Sequence, residues 1–284
     1  MSWSKCLVPT FLILACAGCA LAPGSPFANS ASPWLLVDDF ESGLDAWTHI
    51  DVDNNTDPFV PNPQVADLMR EVRSSNQYLL TKPAPDGIVG NRKAIGFRPL
   101  PVAIGVGETY TIYTRINVEY FPNNQSFGLA NIAADKIGQF NYNAFEPMIR
   151  VTDKYESDGH KNSGALQVLG GGQTRYSDIV NPTTGSPARP LSIDEWYEVW
   201  IVVNNGSLDA GGQRYDVYVR GGEFSEQQQV FERAVFRMRR VQPLAFFMTI
   251  CNTGPADKPY GNGGVRYDDI FMAKGERLTS PLEG

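Results

Sequence analysis

The side chains best suited to acid–base work fall in two stretches of alternating polarity. Arg115, Asn117 and Glu119 alternate in one; Glu146 and Arg150 lie in the other, with Tyr142 just before them and His160 just after. An arginine or an amide can neutralise a carboxylate and so acidify the proton on the neighbouring carbon. A tyrosine or histidine can then remove that proton while an acid protonates the departing oxygen. Arg115, Asn117, Arg150, Tyr113, Tyr142 and His160 supply these types for a β-elimination, and the outward alternation predicts that Arg115, Asn117 and Arg150 point the same way. Hydrolysis of an acetal needs instead two carboxylates about 5–10 Å apart, for which Glu119 and Glu146 are the candidates. The same Arg and Glu residues equally suit cross-strand ion pairs on a solvated sheet. His160, in Ser157-Asp158-Gly159-His160, equally suits a solvated loop.

A second chemistry is metal ligation. Asp38, Asp39 and Glu41 lie near the start of the patterned region, Asp268 and Asp269 near its end. If the first and last strands pair, these carboxylates form an oxygen-rich site of the kind Ca²⁺ takes with roughly six to eight ligands, as a structural ion; the alternative is a set of turn-capping carboxylates. The run Asp51–Asp57 alternates oxygen ligands but lacks the central Gly and final Glu of a calcium loop. Two histidines and four cysteines are too few for a zinc ribbon, and no organic cofactor is expected. A formal net charge of −7 argues against nucleic acid, which demands a dense Lys/Arg footprint.

The elements that would position these groups are strands. The segments 35–40, 78–81, 93–98, 109–120, 127–132, 145–152, 165–169, 196–204, 214–220, 229–236, 244–251 and 265–272 are β-patterned and separated by Gly, Pro, Asn and Asp clusters. This predicts an all-β protein, a two-sheet antiparallel jelly-roll sandwich. In 109–120, Tyr110, Ile112, Ile116 and Val118 should face the core and Thr111, Tyr113, Arg115, Asn117 and Glu119 the outside. In 145–152 the split is Phe145, Ile149 and Val151 inward against Glu146, Met148 and Arg150. In 214–220 it is Tyr215, Val217 and Val219 against Arg214, Asp216, Tyr218 and Arg220. The one helical candidate is 63–72, where Val65, Leu68, Met69 and Val72 share a face. Cys251, in an apolar run, reads as a small buried hydrophobe.

Residues 1–18 have the basic start, short apolar stretch and small closing residues of an export signal. Ala17-Gly18-Cys19 resembles a bacterial lipobox, which implies acylation of Cys19 and a membrane contact through that lipid alone; Ile13-Leu14-Ala15-Cys16 is a second register, and Ala20-Leu21-Ala22 offers an ordinary cleavage site instead. Residues 19–33 read as a flexible tether and 34–284 as a single domain. The expected location is the cell envelope, or a soluble exported state without the lipid.

Glu195-Trp196-Tyr197-Glu198-Val199-Trp200, followed by Tyr215-Asp216-Val217-Tyr218-Val219, resembles the paired strands of laminin-G-like and concanavalin A-like jelly rolls. Val37-Asp38-Asp39-Phe40 and Tyr267-Asp268-Asp269-Ile270 resemble their first and last strands. The resemblance implies a scaffold shared by lectins, carbohydrate-binding modules, glycoside hydrolases and polysaccharide lyases. The Glu-x-Asp-x-x-Glu strand of the β-glucanases and the Arg-rich and Gln-x-His strands of common alginate lyases are missing. Tyr113, Asn143, Tyr218, Tyr260, Tyr142 and Trp47 are then glycan-contact candidates, Tyr260 from a long Gly- and Asn-rich loop. The expected partner is a polysaccharide, anionic ones included, bound without turnover. A polysaccharide lyase acting on uronic-acid polymers comes next, then a glycoside hydrolase, with a structural envelope lipoprotein as the non-glycan reading.

Overall fold

A computed structural model describes Met1 and residues 33–60, 66–70, 75–169 and 176–283 of the chain. The expected leader, Cys19 and all of the tether but Pro33 lie outside the described residues. Ser32–Gly284 form one compact unit. In chain order the strands are β1 (Leu35–Asp38), β2 (Thr48–Val52), β3 (Ala66–Arg70), β4 (Gln77–Thr81), β5 (Lys93–Ile104), β6 (Thr109–Val118), β7 (Asn124–Ala130), β8 (Phe145–Thr152), β9 (Leu166–Leu169), β10 (Tyr176–Asp178), β11 (Val180–Asn181), β12 (Ser186–Pro187), β13 (Trp196–Asn204), β14 (Arg214–Gly221), β15 (Phe224–Val235), β16 (Leu244–Asn252) and β17 (Val265–Lys274).

They form two antiparallel sheets. The first runs β15-β14-β13-β6-β17-β4-β3, with β1 also paired to β17; the second runs β10-β9-β8-β7-β16-β5-β2; β11 and β12 make a separate pair. The expected all-β sandwich is therefore the fold. Its interior is built by alternation. Ile112, Ile116 and Val118 of β6 and Val199, Ile201 and Val203 of β13 meet Phe127 and Leu129 of β7, Ile149 and Val151 of β8 and Phe247 of β16. Enclosing each such side chain contributes about 1.5–3 kcal/mol. Tyr215 reaches across this layer, its hydroxyl donating to the Met148 carbonyl at 2.6 Å.

Two local expectations are corrected. Residues 66–70, expected to be helical, pair as a strand with β4. So short a helix is unstable alone, whereas the free edge of β4 satisfies its backbone groups. Phe145, expected in the interior, packs instead with Met148 in a second cluster, because the β7–β8 register shifts between Gly128 and Ala130. That cluster, with Ile95, Phe97, Met248 and Ile250, fills the apolar half of the second sheet's outer face under residues 134–144, which supply Ile137 and Ala144. On the first sheet's outer face Tyr218, Trp200, Tyr113 and Phe271 stand in register on four adjacent strands, packed against Trp34 and Leu278.

Candidate functional site

The two arginines proposed to share a site do not share a sheet. Arg115 and Asn117 project from β6 in the first sheet and Arg150 from β8 in the second, so their outward faces lie on opposite sides of the sandwich. Arg115 binds Asp268 at 2.5 Å and Asp269 at 2.7 Å and lies over the Trp196 ring at 4.8 Å. Asn117 accepts from Arg266 at 2.6 Å. Glu119 pairs with Lys82 at 3.0 Å and accepts from the Gly264 N–H. Tyr113 is buried and donates to Glu198 at 2.9 Å, and Tyr218 packs against the same aromatic cluster. These residues form cross-strand ion pairs and packing contacts.

Glu146 is equally committed. Wholly buried, its carboxylate accepts the backbone N–H groups of Met238, Arg239 and Arg240 at 2.8–3.1 Å and pairs with Arg240 at 3.0 Å. Burial raises its pKa against the pull of Arg240 and those N–H groups. It holds a turn and faces no open groove. Asn143 accepts from Arg237 at 3.3 Å, and His160 is exposed in a tight turn, its N–H donating to Asp158.

The first and last strands do pair, with Asp38 opposite Ile270, yet the carboxylates do not converge on a cation. Asp38 is buried, accepts from Trp47 Nε1 at 2.6 Å and pairs with Arg98 of the second sheet. Asp39 accepts from the Glu41 N–H, and Glu41 from the Gln77 N–H. Asp268 and Asp269 share Arg115. Among the described residues no group of three such ligands is placed to hold a metal, so this donor set does not fit Ca²⁺.

The polar half of the second sheet's outer face has different chemistry. Ser126 of β7, Arg150 of β8 and Gln167 of β9 stand opposite one another in register, and Asp178 of β10 continues the row. The first three are at most 4% exposed. Arg150 stacks over the Tyr176 ring at 3.9 Å and gives Nη2 to Glu156 at 2.7 Å. Gln167 Nε2 donates to Asn162 and Asp178, each at 2.8 Å, which turns its carbonyl oxygen into the row. Three atoms are left buried without a partner: Ser126 Oγ, Arg150 Nη1 and Gln167 Oε1. Tyr142 borders the row, its hydroxyl accepting from Asn124 at 3.3 Å, and burial raises its pKa against the effect of Arg150. Burial alone would raise Glu156, but Arg150 and hydrogen bonds from Arg150, Asn162 and Lys154 take it down to about 2. The rim carries Tyr260 under Lys154 Nζ at 4.5 Å, and Tyr155 beside Lys161 and Lys258.

The structure thus brings Tyr142, Arg150 and Tyr260 to one region. Ser126, Gln167, Tyr176 and Asn124 were missed. Gln167 interrupts the short apolar run Ala-Leu-Gln-Val-Leu, and a lone amide on the outward phase of such a strand is a signal that was available; Ser126 follows Asn123-Asn124-Gln125 and carries no such mark.

The sequence matches no family model, and no curated protein is found that matches it. Among solved structures the chain is similar to the marine PL-14 alginate lyase from Aplysia kurodai, with a TM-score of 0.50 at 13% identity over 85% of this chain and 98% of that one. It is also similar to a GH131 beta-glucanase catalytic domain from Podospora anserina, with a TM-score of 0.48 at 10% identity over 78% and 84%. A third likeness is to the exoplasmic/lumenal domain of VIP36 in its Ca²⁺/Man3GlcNAc-bound form, with a TM-score of 0.46 at 8% identity over 85% and 88%. The likeness at a TM-score of 0.50 shows a shared fold, the antiparallel two-sheet sandwich.

Proposed function

We propose that this protein binds a polysaccharide on the outer face of its second sheet, at the Ser126–Arg150–Gln167 row, without cleaving it. The observation that carries this reading is the row's unmet hydrogen-bonding capacity. Leaving a buried polar atom unpaired costs about 1–3 kcal/mol, so three neighbours in register favour a ligand that supplies their partners once the rim of Lys154, Tyr155 and Tyr260 opens to admit it. Arg150 Nη1 needs an acceptor, Gln167 Oε1 a donor, and Ser126 Oγ serves as either. Adjacent sugar hydroxyls offer that mixture, and a uronate carboxylate suits the guanidinium. Turnover is not supported. The Tyr142 hydroxyl is held protonated by burial, which suits donation rather than proton removal, and the residue two beyond Gln167 on the same face is Leu169. Export through residues 1–18 and lipid anchoring at Cys19 complete the reading, placing the sheet at the cell envelope.

The test is affinity electrophoresis of the protein through anionic and neutral polysaccharides, with ultraviolet absorbance for unsaturated uronate ends and a reducing-end assay alongside. Retardation without new ends is expected. Ser126→Ala and Arg150→Ala should weaken it, the latter by roughly tenfold to a hundredfold for a lost charge-assisted hydrogen bond. Growing absorbance would establish a lyase, and reducing ends without it a hydrolase. Retardation indifferent to Arg150→Ala would remove the row from the function.

A further inference from the structure

A second set of unsatisfied groups lies on the first sheet's outer face. Arg214 opens β14, opposite Asn204 of β13 and Val235 of β15. It and Arg233 line a cleft of about 230 Å³ together with Asn204, Gly211, Asp216 and Glu276. Arg239 adds a third guanidinium to the same field: burial, and then Arg233 and Arg239, lower the pKa of Arg214. Sixteen ion pairs join described residues elsewhere, and none involves Arg214, Arg233 or Arg239. Arg214 Nη1 is moreover buried with no hydrogen-bond partner. In a chain of net charge −7, leaving three arginines close together and unpaired has a repulsive cost that a bound anion would remove.

The backbone holds them there. Arg233 and Arg239 have φ of 56° and 57°, the left-handed region that non-glycine residues enter only when their surroundings compel it. At Arg233 the cause is the β14–β15 register shift between Tyr215 and Val217, with the Arg233 N–H donating to Asp216 at 2.6 Å. At Arg239 it is the turn folded around the Glu146 carboxylate, fastened further by Gln213 Nε2 donating to the Arg239 carbonyl at 3.0 Å. One oxygen of Asp216 thereby accepts from backbone, and neither Asp216 nor Glu276, whose charges stay in the cleft, pairs with a guanidinium.

We propose that this cleft binds a tetrahedral oxyanion, sulfate or phosphate, either free or as an ester on a glycan. Guanidinium forks match paired oxygens of such groups, and the cleft is open enough for one. The proposal is independent of the glycan row on the opposite sheet.

The test is thermal melting of the full protein in sodium sulfate, sodium phosphate and sodium chloride at matched ionic strength, for wild type, Arg214→Gln and Arg233→Gln. Wild type should show a saturable rise in sulfate or phosphate, roughly 5–10 °C at a hundredfold excess over Kd. Both variants should lose that rise while melting in chloride no lower than wild type, because the substitution relieves repulsion. They also carry any general salting effect of sulfate, which the comparison subtracts. Retardation by dextran sulfate but not dextran, lost in both variants, identifies the ester as the source; a rise with inorganic anions alone identifies the free ion. Equal melting of wild type in all three salts, or a rise that both variants keep, overturns the proposal.

Discussion

Replacing Glu146 separates a structural carboxylate from a catalytic one. The wholly buried side chain accepts three backbone N–H groups, from Met238, Arg239 and Arg240, and pairs with Arg240. Glu146→Ala strands those donors. Taking about 1 kcal/mol for each N–H, the low end because the turn is partly wet, and about 1 kcal/mol for the abandoned Arg240, the loss is about 4 kcal/mol. At roughly 2–4 °C per kcal/mol for a domain of this size, melting should fall by roughly 8–16 °C. Glu146→Gln keeps one carbonyl oxygen, able to accept two N–H groups, and should lose about half as much. Differential scanning calorimetry at neutral pH reads both. A Gln variant that melts with wild type would refute the argument, since the neutral isostere of a carboxylate used only for chemistry leaves stability intact.

Two further outcomes follow from the first sheet's acidic cluster. Burial, with Asp269 alongside, raises Asp268 from 3.8 to about 6 against Asn76 and Arg115. The folded state therefore holds this proton more tightly than the unfolded chain, so its contribution to stability declines as pH rises from 3.8 to about 6. Asp268→Asn should flatten that decline in melting temperature against pH, and an unchanged slope would contradict the assignment. Because Arg98 pairs with Asp38 and Arg115 with both Asp268 and Asp269, a chelator should leave the melting temperature where it is. A rise on adding Ca²⁺ that Asp268→Asn abolishes would show that the arginines give way to an ion.

Strand phase was legible in the sequence, and sheet membership was not. The alternation in 109–118 and 145–152 correctly turned Arg115 and Arg150 outward, because the side-chain period along a strand is local. Which sheet a strand joins depends on partners distant in sequence: β6 lies between β13 and β17, β8 between β7 and β9. Two outward faces therefore became opposite faces. The shortest strands escaped notice for a related reason. β10, β11 and β12 have three or two residues each, too few to display a period, and β2 carries His49 and Asp51 among its apolar residues. Charged residues were the natural candidates for a site, yet Arg115, Glu119 and Glu146 are each taken up by other charged side chains or by the backbone. The unmet groups include the modest Ser126 and Gln167, whose burial no residue type announces.

The pairing of β1 with β17 bears on how the molecule comes to be folded. Leu35 sits opposite Met272, so the first sheet cannot close until nearly the whole domain has been synthesised. A partial chain leaves β6 without β17 and β1 without any neighbour, with apolar faces uncovered. Such long-range closure slows folding, and incomplete chains should be sensitive to proteases and prone to association. The same pairing places the two ends of the β domain side by side, so joining them and opening the chain at an exposed turn such as 207–210 should preserve the sandwich while changing which strand is made last.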